Sequence, residues 1–145
     1  MIYYSTILFF VLSNVACILL IYNHPLWLYA PKIINSTFSD LLICITVYPS
    51  TVMLFIPNFP KKITKIITHI SFYVAIYTIA ELVAVKLGYF TYYNGLNIWY
   101  SLIFNFILFP ILMLHHKKPL YAWIFALISQ HILFFIMKIS YNCIR

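Results

Sequence analysis

The sequence predicts an all-α protein, a polytopic transmembrane helical bundle of about five spans, forming a single transmembrane domain over residues 1–145. Three observations predict it. Of the residues, 65% are hydrophobic and only 8% are charged, where a water-soluble domain carries roughly a quarter charged residues. Five apolar stretches approach the ~20 residues that cross a bilayer at 1.5 Å per residue. Prolines and lysines gather mostly between those stretches. The two glycines and the absence of strict alternation with regular turns disfavour a membrane β-barrel.

The first span is predicted over about 2–22 and ends at the breaker Asn23-His24-Pro25. A short aromatic loop with Trp27, Tyr29, Pro31 and Lys32 follows, of the kind that sits among lipid headgroups. The second span, about 38–56, opens at Ser36, Thr37 and Ser39 as candidate N-caps and closes at Pro57 and Pro60, with a kink expected at Pro49. The third, about 66–87, follows Lys61, Lys62 and Lys65 and exits at Gly88. Tyr92-Tyr93-Asn94-Gly95 reads as a tight aromatic turn into the fourth span, about 98–114, which holds Asn105 and Pro110. His115-His116-Lys117-Lys118 closes that span, and Pro119 suits the first turn of the fifth, about 120–139.

The net charge of +7 comes from nine Lys and Arg against Asp40 and Glu81. Short basic loops beside spanning helices suit anionic lipid headgroups and the positive-inside bias, so the bilayer is the expected partner and nucleic acid is not. Five spans place Lys61, Lys62, Lys65, Lys117 and Lys118 on the side of the N-terminus, against Lys32, Lys86, Lys138 and Arg145 on the other. That small excess predicts a cytoplasmic N-terminus and an external C-terminus. Cys17, Cys44 and Cys143 have no CxxC spacing and read as small apolar fillers. The Val15-Ala16-Cys17 stretch resembles a lipoprotein cleavage site, but Asn14 precedes it and apolar sequence follows it, so the segment reads as a retained span.

Polar side chains inside hydrocarbon cost a few kcal/mol unless partnered, which makes them the first candidates for function. Glu81 lies six residues before Leu87, Asn105 seven after Ile98, His131 eight before Ile139 and Asn14 eight before Tyr22. At 1.5 Å per residue all four lie roughly 9–12 Å below one membrane face. Gln130 sits slightly deeper, and Asp40 lies near the rim of that face. Glu81, Asn105, His131, Asn14, Gln130 and Asp40 are therefore the candidate ligand-binding residues. Glu81 leads them as the one acid deep in a span, able to hold a proton, a cation or a ligand amine. The same groups could instead only join helices through hydrogen bonds, and Asp40 could simply answer the dipole at a helix start. His69, His115 and His116 gather at the opposite face and read as a solvated cluster, since no carboxylate joins them as a ligand set would need. Asn35-Ser36-Thr37 matches a glycosylation sequon. No cofactor, metal centre or catalytic residue is expected.

Glu81 and Gly88, then Tyr93-Asn94-Gly95-Leu96-Asn97 and Trp99, and later His116-Lys117-Lys118-Pro119-Leu120-Tyr121-Ala122-Trp123, form a pattern over the last three spans. In these residues the chain resembles an uncharacterised family of small multi-pass membrane proteins from spore-forming Firmicutes. The resemblance implies a bacterial plasma membrane and a similar bundle, and it carries no activity.

The expected function is that of a non-enzymatic membrane component: a transporter-like, ligand-binding or accessory subunit with a buried polar layer around Glu81. Homo-oligomers or a partner membrane subunit would suit a bundle of 17.2 kDa. One alternative is a membrane enzyme acting on a lipid or isoprenoid, with Glu81 as general acid or base and His131 or Asn105 assisting. HExxH and GxSxG motifs are missing from the sequence, which counts against it. The other alternative is a structural scaffold.

Overall fold

Apolar runs that cannot hydrogen-bond to lipid must close their backbone bonds internally, and here they do so as helices. The computed structural model describes residues 3–29 and 35–137. Within them lie α1 (Tyr4–Leu20), α2 (Ser36–Phe55), α3 (Ile63–Lys86), α4 (Ile98–Lys117) and α5 (Pro119–Ile136), with two short strands, β1 (Trp27–Tyr29) and β2 (Phe90–Tyr92). Helices α2 to α5 are each long and apolar enough to cross a membrane. At 17 residues α1 is shorter, about 26 Å long and near the lower limit for a span. The chain is thus a multi-pass membrane protein built as an all-α bundle.

Local chemistry sets the helix ends. Asn35, not Ser36, Thr37 or Ser39, caps α2: its Oδ1 accepts from the Phe38 N–H at 2.8 Å. The carboxamide of the sequon asparagine is therefore engaged by its own helix. Asn97 caps α4 by accepting from the N–H groups of Trp99 and Tyr100. At the end of α3, Gly88 takes φ +74° while the Gly88 and Tyr89 N–H groups donate back to Val85 and Ala84, the double closure of a Schellman motif. Lys118 alone separates α4 from α5, which Pro119 opens at its first position. Helices α2 and α4 run on through Pro49 and Pro110. Around Pro49, Thr46, Ser50 and Thr51 donate to carbonyls four residues back.

The tight turn lies one residue later than predicted. Asn94 (φ 51°) and Gly95 (φ +86°) are both left-handed, and the Leu96 N–H closes onto Tyr93 at 3.0 Å, as in a type I′ turn. The predicted aromatic loop and turn also contain something the sequence reading missed. Their strands pair antiparallel in the register Trp27↔Tyr92, Leu28↔Thr91 and Tyr29↔Phe90. The Tyr93 N–H and Asn94 Nδ2 extend this pairing by donating to Leu26 and Pro25. The two-stranded sheet caps the end of the bundle where α1 and α3 finish and α2 and α4 begin.

Helix α4 is central: it packs on α3, α5 and α1, while α1 also packs on α2. Two apolar clusters result. The larger, with Phe9, Phe10, Val52, Phe55, Val74, Phe109 and Leu112, fills the half of the bundle away from the cap. The smaller, with Cys17, Ile21, Leu26, Phe134 and Met137, lies near the cap. Outside, the bundle is apolar too: Phe135, Leu120, Ile63 and many others are exposed, more than a water-facing surface sustains. Exposed Tyr22, Tyr89, Tyr93 and Trp99 ring the capped end, and Tyr4 and Tyr121 the other, as in aromatic belts.

The predicted solvated histidine cluster is corrected. His115 is buried, stacked on Phe9 at 4.2 Å and hydrogen-bonded through Nδ1 to Thr6 Oγ1 at 3.2 Å. His69 stacks on Phe55 and reaches the Phe55 carbonyl at 3.0 Å, serving an unclosed carbonyl at the end of α2. His116 lies against Tyr3. Among the described residues no group of three His, Cys, Asp or Glu side chains comes together as a metal site would need.

Candidate functional site

A half-open cavity of about 470 Å³ lies among the helices, lined by all five of them and by both strands. Its size falls in the range of about 300–1,000 Å³ usual for small-molecule sites. Phe9, Phe10 and Trp123 line it on the side of the larger cluster, and Tyr29, Phe90 and Leu96 at the capped end. Most of the wall is apolar. The polar exceptions among its lining residues are few: Ser13 and Asn14 from α1, Glu81 from α3, Ser101 and Asn105 from α4, Ser129 and Gln130 from α5, and several tyrosines.

Glu81 is the one carboxylate in the lining, and both of its oxygens accept hydrogen bonds. Tyr92 Oη donates to Oε1 at 2.7 Å, and Ser101 Oγ donates to Oε2 at 2.6 Å. Both distances suit charge-assisted O–H···O⁻ bonds. One donor comes from the cap and the other from α4, so the carboxylate ties three elements together. Burial, then the hydrogen bond and charge of Glu81, hold the Tyr92 phenol above its ordinary range. Burial, followed by the charges of Asp40 and Glu81, acts the same way on Tyr29 in the facing strand. Both phenols therefore stay protonated and available as donors.

The other polar groups are unevenly served. Asn14 Nδ2 donates to Cys44 Sγ at 3.3 Å, a weak bond to a poor acceptor. Tyr77 pairs with Thr51 at 2.7 Å. Ser129 Oγ donates to the Ala126 carbonyl. Ser13 Oγ and Gln130 Nε2 are buried and have no hydrogen-bond partner. The Gln130 amide instead makes a weak hydrogen bond with the Cys17 thiol. Such orphans are rare in folded proteins and call for an explanation.

Of the six predicted residues the structure brings four to one cavity: Asn14, Glu81, Asn105 and Gln130. His131 and Asp40 do not join them. His131 is exposed on the outer face of α5, with Nδ1 against its own Leu127 carbonyl. It is one position from Gln130 and so turned about 100° away from it. Asp40 sits at the rim of α2 facing the Trp27 indole, outside the cavity wall. Lys86 is exposed.

Sequence reasoning missed Ser13, Ser101 and Tyr92. Serines within spans commonly bond to their own backbone, so they carry little signal. Ser101 could have been found from its i,i+4 relation to Asn105, which puts both on one helix face. Tyr92 shares a strand face with the buried Phe90. Compared with family models, curated proteins and solved structures, the chain matches none.

Proposed function

We propose that this protein is a non-enzymatic, ligand-binding component of a membrane, which holds a small amphipathic molecule in the cavity beside Glu81. The observation that carries this reading is the cavity of about 470 Å³ that all five helices and both strands line, apolar but for a few polar side chains that include the Glu81 carboxylate. A general acid or base needs a carboxylate free to exchange protons with a reactant. Glu81 has a donor on each oxygen, which favours binding over catalysis.

The membrane we assign is a bacterial plasma membrane, on the resemblance described above. The N-terminus is cytoplasmic, because Lys61, Lys62, Lys65, Lys117 and Lys118, all exposed, lie at the uncapped end. The cap then faces outward, and a reporter fused after Arg145 is active outside the cell. The partners proposed are the bilayer itself and a second copy or another membrane subunit, which sizing in mild detergent resolves.

The test of binding is direct. The protein is purified in mild detergent and examined by native mass spectrometry for a small molecule bound at one per chain. Ala84→Trp, which fills the cavity from α3, should abolish that adduct while the protein stays folded. An adduct unchanged by Ala84→Trp, or none under conditions that retain lipids, would refute the reading.

A further inference from the structure

Resting on that reading, we infer that the ligand is a protonated amine on an apolar body, its ammonium group seated beside Glu81 of α3 and Asn105 of α4. Three observations lead to this class. The first is charge. Glu81 is the one carboxylate in the lining, and among the described residues there none is Lys, Arg or His. Its two hydrogen-bond partners, Tyr92 and Ser101, are neutral hydroxyls. They fix the carboxylate in place without supplying a counter-charge, and each oxygen keeps a second acceptor site. A cation provides what is missing. An anion entering the same hydrocarbon would meet like charge, and a neutral polar head would leave the charge of Glu81 as it was.

The second is an amide with nothing to bind. Asn105 is only 6% exposed and lines the same cavity, yet its side chain has no hydrogen-bond partner among the described residues. Unlike Ser13 Oγ and Gln130 Nε2, its polar atoms are not sealed in protein, so the surface left to them opens on the cavity. Asn105 follows Ser101 by one turn of α4, which puts both on one helix face. Ser101 in turn touches Glu81 at 2.6 Å. The side-chain oxygen of Asn105 and the Glu81 carboxylate are thus about one helical turn apart, and an ammonium group, which only donates, can serve both.

The third is the wall. Nine of the lining residues are aromatic, Tyr48, Tyr77, Phe104 and Trp123 among them, and aromatic rings attract cations through their faces. Glu81 lies five residues before Lys86 and Asn105 seven after Ile98, the ends of their helices at the cap. Both are roughly 8–11 Å inward from the capped end. An ammonium seated there is below the headgroups, where its attraction to a carboxylate is stronger than in water. The apolar body of the ligand extends past them along Leu108, Ile111 and Trp123.

The experiment uses the full chain in non-ionic detergent micelles and three probes of equal chain length: dodecylamine, dodecanol and lauric acid. Binding is read by native mass spectrometry and by competition, at one ratio of probe to detergent. The expected result is one dodecylamine per chain, with a preference of at least about tenfold over the alcohol and the carboxylate. Glu81→Gln, which keeps the size and an acceptor oxygen but loses the charge, should weaken dodecylamine at least about tenfold and leave dodecanol within about threefold of the parent. Asn105→Leu, close in size and lacking the amide, should weaken dodecylamine about threefold. Thermal melting checks that both variants fold, and the comparison of the three probes on the parent chain needs no variant.

Preference for dodecanol or lauric acid, or equal binding of all three, would overturn the ligand class while leaving the cavity a binding site. A native adduct without a basic nitrogen would do the same. Dodecylamine binding unmoved by Glu81→Gln in folded protein would overturn the seat. If none of the three binds to folded protein, and no native adduct is found either, the binding reading itself fails.

Discussion

Replacing Tyr92 by Phe removes one oxygen and leaves the ring, and it tests the Glu81 clasp directly. The lost bond is 2.7 Å long to a carboxylate, and bonds to charged groups contribute about 1.5–3 kcal/mol. Tyr92 and Glu81 are both only half-buried, so water can partly replace the hydroxyl and the lower figure applies. We expect Tyr92→Phe to cost about 1.5 kcal/mol, a fall of roughly 3–6 °C in melting midpoint on the scale for domains of this size. Ser101→Ala should cost a similar amount, since its bond is 2.6 Å long. The double variant should depart from additivity by at least about 0.5 kcal/mol, because both donors serve one carboxylate. Unfolding in detergent micelles, by heat or by added denaturing detergent, measures all three. Tyr93→Phe is the control, as that exposed neighbour's side chain has no part in the clasp. If Tyr92→Phe and Ser101→Ala both melt with the parent, water solvates Glu81 and the clasp holds nothing.

Other outcomes follow from the same geometry. Gly95→Ala places a side chain at φ +86° in open space, so its cost is purely that of the backbone, about 1–2 kcal/mol, readable in the same melts. His131→Ala should change stability by less than about 0.5 kcal/mol and leave the bound adduct intact, since the side chain is exposed; a loss of the adduct would put His131 back at the site. Tyr29 and Tyr92 ionise above the ordinary phenol range in the folded chain. The unfolded chain therefore gives up those protons first, and stability, full below about pH 10, falls as pH rises beyond it. Melting between pH 8 and 11 should show that decline, smaller in Tyr92→Phe.

The bundle was legible because lipid as solvent leaves a coarse signature: long apolar runs with breakers between them. The depth of Glu81, Asn14, Asn105 and Gln130 was legible too, since rise per residue is fixed. Direction was not. In a water-soluble helix an apolar stripe marks the inner face, but here Leu, Ile and Phe surround each helix, and nothing in the pattern separates Gln130 from His131. The histidines were misread for a related reason. His115 adjoins Lys117 and Lys118 in sequence, yet one turn of helix carries it inward onto Phe9 and Thr6. The strands escaped notice because three residues each are too few to show alternation, and their pairing joins segments on either side of two whole helices.

That pairing also bears on how the chain is assembled in the membrane. Trp27 cannot meet Tyr92 until α2 and α3 have both been threaded across the bilayer, so the cap is a late closure. Before it forms, Glu81 lacks its Tyr92 donor. The single residue between α4 and α5 implies that those two enter as a hairpin. A nascent chain halted before Tyr92 should therefore be sensitive around Trp27 to proteases added on the capped side, and one released after α5 should resist them.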